Sequence, residues 1–166
     1  FLEDGNKGEQ LWDLIWAAGQ AYDIRVGAPN YAERIENFLL SWGSDTDAES
    51  DPFEAALGNY VDLGAHHDFI GKSVLLKKRT QGPTRELKGL VIEGEPLDPN
   101  PEPVGLQTPN GSYAGQTRVF AYSPRFARNL GLAIVEVPQN LPGTKVQVQT
   151  PTGWRAAIVT DLPFDL

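Results

Sequence analysis

The chain has 166 residues, 40% of them hydrophobic and 22% charged, a balance that excludes a disordered segment and suits one large domain or two small ones. It carries no cysteine, which excludes disulfides, thiolate metal sites and cysteine nucleophiles, and no methionine, so Phe1 is not an initiator residue. The formal charge of −8 is concentrated in residues 1–82, which hold 14 acids against 7 bases, while residues 83–166 hold 8 against 7. Such a chain lacks the clustered Lys and Arg that a phosphate backbone requires, so no nucleic-acid partner is expected.

No apolar run approaches the ~18 residues needed to cross a bilayer, and no basic segment leads into an apolar export signal. A cytoplasmic protein without a membrane partner is the expectation. The opening Phe1-Leu2-Glu3 reads as the tail of a strand, with the N-terminal part of the same protein missing upstream.

Taken in order, Leu11, Leu14, Ile15 and Ala18 recur at helical spacing over residues 7–18, with Trp12 and Trp16 beside them, and the stripe reads as core packing. Gly19 is placed to end that helix in a left-handed conformation. Ile24-Arg25-Val26 reads as a short strand. Asn30 and Glu33 have the spacing of a capping box, which predicts a helix to about Leu40 with Ala32, Ile35 and Leu39 buried, ended by Trp42-Gly43. Residues 44–52 read as a solvated acidic loop, 57–63 as a strand, and Gly71 to Arg79 as a helix whose Lys77-Lys78-Arg79 end complements its dipole.

The texture changes at Gln81-Gly82-Pro83. Leu87–Ile92, Gly131–Val137, Thr144–Thr150 and Trp154–Thr160 read as strands, with a proline-rich loop from Pro96 to Pro103 and a hairpin turn at Asn110-Gly111. Val146 and Val148 share one face. Short strands with turns between them point to a small barrel or sandwich.

Several familiar patterns fail on inspection. Asp45-x-Asp47-x-Glu49 opens like a calcium loop, but Ser50 replaces the glycine at the sixth position and Ala56 the acid at the twelfth. Gly71-Lys72-Ser73 ends like a phosphate loop, but His66 stands where its first glycine belongs. His66-His67-Asp68 has no evident third ligand, so no metal is expected. Asn110-Gly111-Ser112 is a sequon only in a secreted chain.

Three segments carry a resemblance: Gly27-Ala28-Pro29-Asn30-Tyr31-Ala32-Glu33-Arg34-Ile35-Glu36 with Leu39-Leu40-Ser41-Trp42-Gly43; Asp51-Pro52-Phe53-Glu54-Ala55-Ala56-Leu57-Gly58 with Asp68-Phe69-Ile70-Gly71-Lys72; and Tyr122-Ser123-Pro124-Arg125 with Asn129-Leu130-Gly131-Leu132-Ala133. In that order they resemble the aminomethyltransferase, or glycine cleavage T-protein, family, and most nearly its dimethylsulfoniopropionate demethylase branch. The resemblance implies an α+β chain: residues 1–66 as the end of an α+β folate-binding domain, 67–82 as a connecting helix, and 83–166 as a C-terminal antiparallel β-barrel.

It also implies tetrahydrofolate as cofactor and a small sulfonium compound as methyl donor, with a homodimer left open. Carried over by motif, Arg34, Ser123 and Arg125 would contact the cofactor, and Phe1 the donor. Phe1 stands where the demethylases carry a tyrosine. Catalytic residues would lie upstream and none in this stretch. Two alternatives stand beside this reading. One is the glycine cleavage aminomethyltransferase, which needs a lipoyl carrier protein but carries an arginine where this chain has Pro29-Asn30. The other is a folate-binding relative without activity.

Overall fold

The computed structural model describes residues 4–27 and 30–165. Three helices, α1 (Gly8–Gly19), α2 (Tyr31–Glu36) and α3 (Lys72–Gln81), precede six strands: β1 (Arg85–Ile92), β2 (Gly105–Gln107), β3 (Tyr113–Ser123), β4 (Arg128–Glu136), β5 (Lys145–Thr150) and β6 (Gly153–Thr160). The strands close into a barrel in the order β1-β4-β3-β2-β5-β6, and every pairing is antiparallel. The expected helix-then-barrel architecture is therefore the one the chain adopts.

Closure removes free sheet edges, and the interior is filled by side chains. Leu90, Ile92, Phe120, Ala133, Val135, Val146, Val148, Ala157 and Val159 form that filling. A second apolar layer lies outside the barrel wall, where Ile35, Leu87, Val119, Leu130, Leu132, Ile134 and Phe164 pack together. β4 is thus buried on both faces, odd residues inward and even residues outward. This is why Leu130 to Val135 reads as a continuous apolar run rather than an alternation. β5 is covered on one face only and alternates, with Val146 and Val148 inside.

Two strands went unread in the sequence. β2 is only three residues long, and β3 has an irregular register between Thr117 and Val119, so its apolar residues change face part-way. Gly115 permits this course: its φ is +136°, and a Cβ there would lie 2.1 Å from the Ile134 carbonyl oxygen. Buried Asn129 fastens the proline-rich loop, accepting from Leu97 N–H at 2.8 Å and donating to the Gly94 and Glu95 carbonyls at 3.1 Å.

The front of the chain departs more from expectation. Ile24-Arg25-Val26 forms no strand, and 57–63 holds a single 3₁₀ turn at Gly58–Tyr60. The left-handed residue after α1 is Asp23, φ 52°, not Gly19. Gly19 is instead a close-approach position, since a Cβ there would meet Ile24 at 2.6 Å. The apolar stripe of α1 is not core: Leu14 is 63% exposed, Trp12 54% and Ile15 52%. Trp12 and Trp16 stack on each other, centroids 6.2 Å apart, and with Ile15 they line an open cleft against the Ile24–Gly27 segment.

α2 is the helix that meets the barrel, lying on β3 and β4 with Ile35 fully buried. Its capping box is present: Glu33 N–H donates to Asn30 Oδ1 at 2.9 Å, and Asn30 N–H to Glu33 Oε2 at 3.3 Å. The helix stops at Glu36 rather than Leu40 because Phe38 turns left-handed at φ 52°. Leu39 N–H then reaches Arg34 O at 2.9 Å and Phe38 N–H reaches Ile35 O at 3.1 Å, a Schellman closure without its usual glycine. Packing of Phe38 against the outer apolar layer offsets the cost of that conformation. Leu39 consequently points away from the core and is 48% exposed.

Candidate functional site

The early stop of α2 folds the chain back beneath the helix. Asp45, with no exposed surface, is thereby placed against Arg34, whose Nη2 pairs with Asp45 Oδ2 and donates to Ser44 Oγ at 3.1 Å. Ser41 N–H adds a bond to the same carboxylate oxygen at 2.7 Å. The acidic stretch is therefore not a solvated loop throughout. Asp45 is buried, and Asp47 closes a tight turn, accepting from Glu49 N–H, Ser50 N–H and Ser50 Oγ. Those bonds, the Ser50 hydroxyl first, hold the Asp47 carboxyl below its ordinary range.

Ser123 ends β3 and is also buried. Its hydroxyl accepts from Phe126 N–H at 3.1 Å and donates to Glu36 Oε1, linking the barrel to α2. Both of its hydrogen-bonding roles are thus taken within the protein. Arg125, two residues on, is exposed, with its guanidinium over the Phe126 ring at 5.1 Å. Among the described residues no carboxylate lies within ion-pair distance of it.

Arg125 and Glu36 line one open groove of ≈ 640 Å³ between α2 and the barrel, with Glu33, Asn37 and Leu39 along its wall. Glu36 is mostly buried, with one oxygen held by Ser123 and, among the described residues, no hydrogen bond to the other. The structure thus brings Arg125 to the groove, keeps Ser123 buried behind Glu36, and turns Arg34 inward toward Asp45. Phe1 lies outside the described residues. Glu36 was missed in the sequence because its partner Ser123 lies 87 positions further along the chain; no local pattern marks that pairing.

The other patterns resolve simply. Gly71 starts α3, and Lys72 Nζ donates to the Ala65 and His67 carbonyls rather than to an anion. His66 and His67 are exposed, and among the described residues no group of three His, Asp or Glu could hold a metal.

Two family models cover the chain: the GCVT N-terminal domain matches residues 3–65, and the glycine cleavage T-protein C-terminal barrel domain matches 85–165. The chain belongs to the glycine cleavage T-protein family. The groove lies where the two matched segments meet, Glu36 coming from one and Arg125 from the other. Dimethylsulfoniopropionate demethylase DmdA of Ruegeria pomeroyi is 35% identical over 161 residues, which cover 97% of this chain and 43% of that protein. The aminomethyltransferase of Symbiobacterium thermophilum is 32% identical over 159 residues, 93% of this chain and 41% of that one. The glycine cleavage system aminomethyltransferase T from Bartonella henselae superposes with a TM-score of 0.71 at 25% identity, covering 81% of this chain and 37% of that one. The chain thus spans less than half the length of these T-protein relatives.

Proposed function

We propose that this chain is the C-terminal part of a tetrahydrofolate-dependent one-carbon transferase, with a small sulfonium compound of the dimethylsulfoniopropionate kind as methyl donor. The observation that carries the reading is the groove at the junction of the two matched segments, which offers an unpaired guanidinium and a half-satisfied carboxylate. The carboxylates of a folate tail suit the guanidinium. Tetrahydrofolate, when bound, would supply N5 as the methyl acceptor, the carbon–sulfur bond breaking with its electron pair left on sulfur and the N5 proton lost to solvent.

Of the residues carried over from the family, Arg125 is the one free to meet the cofactor tail. Ser123 and Arg34 serve by fixing the groove wall, through Glu36 and through the Asp45 turn respectively. Catalytic groups belong to the preceding part of the polypeptide, and so does the surface that covers the exposed Trp12, Ile15 and Trp16 face of α1. No described helix is long and apolar enough to cross a membrane, and a cytoplasmic site is part of the proposal.

The second reading, an aminomethyltransferase served by a lipoyl carrier protein, is favoured by the aminomethyltransferase relatives at 32% identity. Against it, Asn30 caps α2 where the T-protein pattern carries an arginine. The test is an assay of the intact protein for 5-methyltetrahydrofolate formed from dimethylsulfoniopropionate. Product formation is expected; formation of methylenetetrahydrofolate from an aminomethylated lipoyl protein instead would establish the second reading. Folate binding with neither product would establish a non-catalytic relative.

A further inference from the structure

We propose that the open cleft between α3, the 53–59 turn and β1 is a binding site for a small molecule with a flat apolar body and one anionic head, carboxylate or phosphate. The cleft measures ≈ 410 Å³ and shares no lining residue with the groove of Glu36 and Arg125. Small-ligand sites occupy about 300–1,000 Å³. The proposal does not depend on the folate reading.

Charge points to an anion. Residues 1–82 hold 14 acids against 7 bases, yet two cations, Arg79 and Lys88, line this cleft against one carboxylate, Glu86. That carboxylate is already engaged: Glu86 Oε2 accepts from Asn140 Nδ2 at 2.7 Å and pairs with Lys88 Nζ at 3.3 Å. Arg79 is exposed, and among the described residues it has no ion-pair partner. An unmatched guanidinium favours the planar fork of a carboxylate or the oxygens of a phosphate. Its neighbour Lys78 is tied to Asp51 at 2.9 Å, and this pair fastens the last turn of α3 beside the cleft. The exposed amide of Asn59 adds a hydrogen-bonding group.

The turn and Pro83 supply the apolar contact. Phe53 lines the cleft, and Gly58 lets its ring lie against the turn, since a Cβ there would stand 3.0 Å from the ring. A flat apolar body packs well on such a ring. Ala56, also on the cleft wall, holds a left-handed φ of 59°. Residues with a side chain in that conformation concentrate where a ligand is clamped.

The test is calorimetry on the intact protein with phenyl phosphate, benzoate and inorganic phosphate, in the presence and absence of tetrahydrofolate. At least one of the two aryl anions is expected to bind, about tenfold tighter than inorganic phosphate, with tetrahydrofolate leaving it in place. The tighter of the two identifies the head group, and either supports the site. Arg79→Gln is expected to weaken binding by roughly 10- to 100-fold. Lys77→Gln, on the same helix but outside the cleft, should leave it unchanged, and equal unfolding midpoints should show that both variants keep the fold. Equal losses in the two variants would mean attraction by general charge and would overturn the site. So would undiminished binding to Arg79→Gln, displacement by tetrahydrofolate, or no binding of either aryl anion up to about 10 mM.

Discussion

Arg34 reaches from α2 to a carboxylate that has no exposed surface, and this pairing, not solvent, sets its conformation. Removing one partner of such a pair leaves the other charge buried and unmatched, which costs about 3–5 kcal/mol. Arg34→Ala is expected to lower the unfolding free energy by that amount in urea titrations. Arg34→Ala combined with Asp45→Asn should recover part of it, because the stranded charge is gone. A loss below about 1 kcal/mol would mean that water, not Arg34, satisfies Asp45. Sequence alone placed Arg34 in a family motif but gave no sign of Asp45 as its partner, since the two meet only after Phe38 reverses the chain. Glu36 was hidden for the same kind of reason: its partner Ser123 arrives from the far end of β3.

At the level of the element, β3 depends on one backbone position. Gly115 combines a φ of +136° with a carbonyl oxygen 2.1 Å from where a Cβ would stand, so no rotamer change relieves the clash. Gly111, in the Asn110-Gly111 turn, has φ +82° but open space around it. Gly115→Ala is expected to cost more than about 2 kcal/mol, and Gly111→Ala only about 1 kcal/mol, by thermal or urea unfolding. Equal losses would show that conformational preference alone, without the close approach to β4, governs both sites. The same comparison explains what was legible. The Asn-Gly turn announces itself locally, while the irregular register of β3 is a response to its neighbours and blurs the alternation that marks β5.

Across the whole molecule, α2 and the turn at Asp51–Glu54 are fastened to the barrel by both apolar and polar ties. Ile35 is fully buried in the outer layer, and Leu87 N–H of β1 donates to the Glu54 carbonyl at 2.6 Å. Asp51 caps the same turn, accepting from Phe53 N–H at 2.8 Å and Glu54 N–H at 3.0 Å, and pairs with Lys78 of α3 at 2.9 Å. Burial works against the Asp51 charge, but the Glu54 N–H and Lys78 outweigh it, so its carboxyl is held below the ordinary 3.8. Lys78 is correspondingly raised above 10.5, chiefly by its hydrogen bond to Asp51.

A lowered carboxyl contributes stability that is present above its unfolded value and lost as pH falls through the folded one. A raised lysine contributes below about 10.5 and loses its contribution in stronger base. Asp51→Asn keeps the cap but not the charge. It is expected to cost about 0.2–1 kcal/mol at neutral pH, with the gap to the unsubstituted protein closing below about pH 4 in urea titrations. A gap that persists in acid would assign the effect to the cap geometry instead.

The sequence by itself determined the capping box of α2, the change of texture near Gly82, four of the six barrel strands and the family resemblance, because each rests on local pattern or local order along the chain. Tertiary structure alone decided which face of each element is covered. The stripe of α1 has helical spacing and yet is exposed, because amphipathic spacing specifies a face and not the surface that covers it. It also decided the groove, where Glu36 and Arg125 are neighbours only because the barrel closes and brings the end of β3 against α2.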